Sequence, residues 1–181
     1  NSPFDYIVFS SGAGVVDWKN DELLQHEYFS KNTTEELLKH MLTGNFNFFV
    51  FKAILNNNQF YYHRGADVCI EFENYLTRHE GDFEALNGRS KLDDAGQILA
   101  IIPNNEKLFE SLKAEILQAC KNVRVIRATS PVNNAFIWLE VFPDSVSKGH
   151  GIKWLCDQLK IEYSATVGVG NDYNDQDMFE F

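Results

Sequence analysis

Val167-Gly168-Val169-Gly170-Asn171-Asp172-Tyr173-Asn174-Asp175 passes within a few positions from small apolar residues to oxygen-bearing ones. The apolar stretch from Ala165 to Val169 predicts a short strand. The loop behind it predicts amide and carboxylate oxygens gathered at the carboxyl end of a sheet, the edge where open α/β folds bind their ligands. Hard cations such as Mg2+ take one or two protein oxygens in such a place, together with phosphate and water. Asn and Asp also cap helices and tolerate turn geometry, so the loop has a purely structural reading beside the functional one.

Some twenty residues upstream, Ser147 starts an amphipathic helix with Ile152, Leu155 and Leu159 on its expected inner face. Lys148 falls in its first turn, where the helix dipole disfavours a cation, and the position makes sense if the lysine helps to hold an anion. Helix, strand and helix in this order predict a parallel α/β unit, and the apolar strand at Tyr6–Phe9 is expected to pair with Ala165–Val169 in that unit.

The middle of the chain reads differently. Thr33 and Glu36 predict a capped helix start, Leu37, Leu38 and Met41 its apolar face, and Gly44 its end. Two strands around Asn56-Asn57-Asn58 predict a hairpin. A helix over Ala66–His79, a loop over Phe83–Asp94, a strand stopped by Pro103 and a helix opened by Asn104-Asn105 follow. Val123–Arg127 and Phe136–Val141 predict two further strands joined by a turn at Pro131 and Asn133-Asn134. That order suits an α+β layer whose helices cover one face of an antiparallel sheet. The expected organisation is α/β: residues 1–16 and 144–181 form one partial unit, and an inserted α+β domain spans 17–143.

The 181 residues carry a formal net charge of -10, which repels a nucleic-acid backbone and requires any phosphate to be met by local positive charge, metal or helix N-termini. No apolar run approaches the roughly 20 residues of a membrane helix, so no membrane partner is expected. Cys69, Cys120 and Cys156 lie in apolar contexts and are expected as buried free thiols, which implies a reducing, cytoplasmic setting. The five histidines show no zinc-ligand spacing.

Ser147-Lys148-Gly149, a helix, a short strand and then Gly170-Asn171-Asp172-Tyr173-Asn174-Asp175 resemble the third and fourth motifs of the haloacid dehalogenase superfamily, most closely its Cof-like sugar-phosphatase branch with a type IIB cap. Phe9-Ser10-Ser11-Gly12-Ala13-Gly14-Val15-Val16 resembles the segment leading from that family's Rossmann-like core into its cap, and the middle region is similar to the cap. The resemblance implies that Lys148 binds the transferring phosphoryl group, that Asn174 hydrogen-bonds phosphate, and that Asp175 orients the lysine or a metal-bound water. It implies Mg2+ as cofactor, with Asn171 standing where the family has an acidic ligand and Asp172 one residue later, so either can serve as ligand.

No Asp-x-Asp-Gly-Thr segment, the family's source of nucleophile and general acid, occurs in these residues. The resemblance therefore implies a whole cap with a C-terminal slice of the core, inactive by itself. The complete protein is expected to hydrolyse a small phosphorylated metabolite such as a sugar phosphate through an aspartyl-phosphate. A non-catalytic phosphate-binding relative and a phosphomutase on the same scaffold stand as alternatives. The polar loop with Arg89, Ser90 and Lys91 is a candidate for substrate contact, and His150 is expected to face solvent.

Overall fold

A computed structural model describes all residues except 1, 2, 45, 80, 88, 89, 91, 93, 133 and 181. Arg89, Lys91 and Asn133 therefore lie outside the described residues. Its largest feature is a six-stranded sheet in the order β6-β5-β4-β7-β9-β8, built from β4 (Asn47–Lys52), β5 (Phe60–His63), β6 (Phe83–Ala85), β7 (Ala95–Pro103), β8 (Val123–Thr129) and β9 (Phe136–Pro143). All pairs are antiparallel except β5 with β6. The central strands are apolar on both faces, as strands covered from both sides must be.

Alternation along these strands sorts the core into two layers. Phe48 and Val50 of β4, Ile98, Ala100 and Ile102 of β7 and Leu139 and Val141 of β9 share one layer with α1 (Lys31–Thr43) and α3 (Glu106–Ala119). Phe49 and Phe51 of β4 and Leu99 of β7 pack on the other side with Phe72 and Leu76 of α2 (Ile70–Arg78). Helices thus cover both faces, against the expectation of one. Phe49 is fully buried, stacked on Phe72 (centroids 4.5 Å apart) and edge-on to Phe60 (5.3 Å). Phe49→Ala removes this aromatic centre and is expected to cost about 3–5 kcal/mol, read as a lowered urea midpoint at unchanged m-value.

Caps and turns set the element ends. Ser30, not Thr33, caps α1, its Oγ accepting from the Thr33 amide at 3.3 Å. Asn105 caps α3 through the Leu108 amide, as expected. The second helix begins at Ile70 rather than Ala66. Asn47 donates to the Asp67 carbonyl and accepts from the Gly65 amide, which holds that stretch in a non-helical course. Val68 and Ile70 are exposed in consequence. Residues Phe83–Ala85, expected as loop, add an edge strand beside β5.

The two ends of the chain meet at one side of the sheet. Strands β1 (Tyr6–Phe9), β2 (Gly14–Asp17) and β3 (Glu22–His26) form a small antiparallel sheet, so Tyr6–Phe9 pairs with β2 and not with the C-terminal stretch. A tight turn at Ser10–Gly12 joins β1 to β2 and packs on α4 (Lys148–Leu159). The inward residues of α4 are Gly149, Gly151 and Cys156, while Ile152 and Leu155 are half-buried and Leu159 is exposed. The expected strand over Ala165–Val169 is not formed. A strand exists through a neighbour's hydrogen-bond ladder, no described strand lies beside this stretch, and Val167 and Val169 stand 91% and 88% exposed. The three cysteines are buried and unpaired. Among the described residues no helix is long and apolar enough to cross a membrane.

Candidate active site

Local backbone chemistry brings two distant segments together. Ser147 caps α4, its Oγ accepting from the His150 amide at 3.1 Å, and this fixes Lys148 as the first helical residue. The Asp177 carboxylate accepts from the Gly149 amide at 3.2 Å and offsets the positive end of the helix dipole. A lysine can therefore stand where the dipole alone disfavours it. Downstream, Asp172 caps a seven-residue 3-10 turn, Tyr173–Phe179, which carries Asn174 and Asp175 toward α4.

The result is a tight cluster. Lys148 Nζ donates to Asp175 Oδ1 at 2.5 Å and to Asn174 Oδ1 at 2.9 Å. Asp175 is 5% exposed, and its second oxygen accepts from the amides of Asn171 (2.9 Å) and Asp172 (3.0 Å). Burial pushes this carboxyl up, yet the Lys148 bond and the two amides outweigh it and leave it below the ordinary Asp value of 3.8. Gly170 permits the close approach, since a Cβ there would lie 2.4 Å from Asp175 Cβ.

Asp172 is turned the other way. One oxygen accepts from the Thr129 amide at 2.8 Å, the other from Thr129 Oγ1 (2.7 Å) and the Tyr173 amide (2.8 Å), which ties the loop to the end of β8. Burial again raises this carboxyl and the Thr129 bonds more than reverse the effect. Carboxyls held below their unfolded value stabilise the fold above that value and lose the contribution as pH falls through the folded one. The C-terminal segment is thus expected to stay docked at neutral pH and to loosen only below about pH 3.8. Protection of the Thr129 amide from hydrogen exchange between pH 6 and pH 3 measures this.

Asn171 is exposed and, among the described residues, its side-chain amide has no hydrogen-bond partner. His150 is exposed as expected, its Nδ1 turned onto Ser147 Oγ at 2.7 Å. Ser90 bonds the Asn87 amide within its own loop. Among the described residues no three His, Cys, Asp or Glu side chains are placed to hold a metal. The Asp172 and Asp175 carboxylates each accept three hydrogen bonds, which takes most of their acceptor capacity, whereas the Asn171 amide oxygen has no partner among the described residues. The oxygens of these residues do not make a Mg2+ site by themselves.

Three residues near the cluster escaped the sequence reading. Thr129 and Asp177 carry no signal in sequence, since each acts through a partner more than 25 residues away. Glu140 does carry one. It is the only charge in the apolar run Phe136–Phe142, and in the structure it is a buried carboxylate whose Oε1 accepts from Gln97 Nε2 and Oε2 from Ser11 Oγ. Burial pushes its carboxyl up to about 7.

Known proteins resemble this chain in sequence and in fold. Residues 2–181 match the family model for haloacid dehalogenase-like hydrolases. A "Putative phosphatase" of Mycoplasma pneumoniae is 27% identical over 183 residues, which cover 97% of this chain and 60% of that protein. A haloacid dehalogenase-like hydrolase from B. subtilis superposes with a TM-score of 0.69 at 19% identity, over 97% of this chain and 66% of that one. A subclass IIB sugar phosphatase of the same superfamily superposes with a TM-score of 0.69 at 13% identity, over 96% of this chain and 60% of that one. The chain thus spans 60–66% of the length of these relatives.

Proposed function

Because the chain belongs to the haloacid dehalogenase-like hydrolase family, we propose that it forms the cap and the phosphate-holding part of a Mg2+-dependent phosphatase acting on a small phosphorylated metabolite such as a sugar phosphate. The observation that carries this reading is the convergence of Lys148, Asn174 and Asp175 from segments 26 and 27 residues apart. Lys148 meets the phosphoryl group and offsets its charge, Asn174 adds a hydrogen bond, and Asp175 holds the lysine in place. Phosphoryl transfer depends mainly on such positioning and charge neutralisation.

The proposed division places the cap at 17–143 and core segments at 1–16 and 144–181. A carboxylate from outside these residues attacks phosphorus, the sugar oxygen leaves, and water then cleaves the acyl phosphate. The isolated chain is accordingly inactive. Asn171 is the proposed contributor to Mg2+, since Asp172 is occupied by Thr129, and the other ligands come from the rest of the protein.

The test is phosphate release by the intact protein from a panel of sugar phosphates with Mg2+, abolished by a chelator and restored by the metal. Binding without release at every member contradicts hydrolysis and favours the binding relative. Transfer to a second sugar in place of water favours the mutase.

A further inference from the structure

Glu140 is a buried carboxylate that the Lys148 cluster does not use. It sits in the middle of β9, 8% exposed, opposite Leu99 of β7 and Ile126 of β8. The same sheet face is covered by α2 at one end and by the β1–β2 turn at the other. Between these covers lies a cavity of about 210 Å³, floored by Gln97, Trp138 and Glu140 and walled by Tyr75, Asn57 and Ser10. It suits one ring-sized group and not an extended ligand.

The lining combines apolar ring surface with hydrogen-bonding groups. Trp138 and Tyr75 stand edge to face with centroids 6.1 Å apart. Each Glu140 oxygen has one partner among the described residues, Gln97 Nε2 at 3.0 Å and Ser11 Oγ at 3.2 Å. A carboxylate accepts about four hydrogen bonds, so half of its capacity is unfilled among the described residues, and Glu140 lines the cavity. The turn bearing Ser11 is itself built at a cost. Ser10 and Ser11 adopt φ of 49° and 53°, unfavourable for residues with a Cβ, and Asn57 Nδ2 braces Ser10 Oγ at 3.3 Å. Lys52, the cation at the rim, is turned onto Gln59 Oε1 at 2.9 Å. Ser10 lines the cavity and Ser11 bonds Glu140, and Gly12 of the same turn packs against Ser147 and the Lys148 amide, which places the cavity beside the candidate active site.

A partly unsatisfied carboxylate under apolar rings fits a neutral group rich in hydroxyl donors and repels a second anion. We propose that Glu140 is a specificity-determining residue: it holds hydroxyls of the substrate's leaving group and excludes leaving groups that bear a second negative charge. This rests on the phosphatase reading above.

The experiment compares kcat/KM of the intact wild-type protein and Glu140→Gln at pH 8, where the carboxyl is ionised, on a hexose monophosphate, the matching hexose bisphosphate and para-nitrophenyl phosphate. Glu140→Gln is expected to lower the monophosphate-to-bisphosphate preference at least tenfold. Its loss on the hexose monophosphate is expected to exceed that on para-nitrophenyl phosphate at least tenfold, mainly through KM. Parallel losses on all three substrates, or unchanged ratios, overturn the proposal. If no phosphomonoester is turned over, the phosphatase reading fails separately, and binding decides for the pocket. Quenching of fluorescence by a free hexose, absent in Trp138→Phe and weakened at least tenfold in Glu140→Gln, supports it; no quenching overturns it.

Discussion

Lys148→Ala in the intact protein is expected to lower kcat/KM for phosphomonoesters about a thousandfold, the scale of losing a preorganised donor to a transition-state oxyanion. The side chain is 31% exposed, so its charge acts at a surface-open but partly desolvated position, and its ammonium bridges the two segments of the cluster. Removing it takes away the cation nearest Asn174 and Asp175 and leaves a buried carboxylate held only by two backbone amides. Lys148→Arg is expected to rescue poorly, because a planar fork does not occupy the place of a compact ammonium. The checks are steady-state kinetics alongside a melting curve. A melting temperature close to wild type with collapsed turnover assigns the loss to chemistry; turnover within a few-fold of wild type removes Lys148 from the role given to it.

Gly12→Ala is expected to be the most disruptive small substitution for the fold, costing about 3 kcal/mol or more. Gly12 has φ of +99°, a backbone state that only glycine adopts without strain, and a Cβ there would lie 1.9 Å from the Ser147 carbonyl oxygen. Both partners are backbone, so no rotamer change relieves the clash. The strain falls where the turn after β1 meets the start of α4, which is the joint that fixes Lys148. Denaturant melts are expected to show the loss of stability, and turnover to fall further than stability alone explains. A melt indistinguishable from wild type would show that this contact does not hold the two ends of the chain together.

Much of the fold is legible in the residues because it is local. The hairpin of β4 and β5 follows from two apolar runs around three asparagines, and α3 follows from the Asn105 cap and its apolar spacing. The misreadings share a cause, a partner distant in sequence. Asn47 delays α2 by bonding residues about twenty positions away. The Ala165–Val169 stretch has strand composition without a strand to pair with, and composition cannot supply a ladder. In the candidate site, the family resemblance singled out Lys148, Asn174 and Asp175, and the structure brings their side chains together. The engagement of Asp172 by Thr129 was not legible, because that partner comes from the end of β8. Glu140 was visible as a lone charge in an apolar strand, although nothing in sequence places it beside a cavity.

The account stands most directly on where an oxyanion binds. The decisive measurement is a structure of the intact protein with orthovanadate, a mimic of the transferring phosphoryl group. The expected result is an oxyanion within about 3.2 Å of both Lys148 Nζ and the Asn174 amide nitrogen. An oxyanion seated elsewhere, with Lys148 still closed on Asp175, would contradict it.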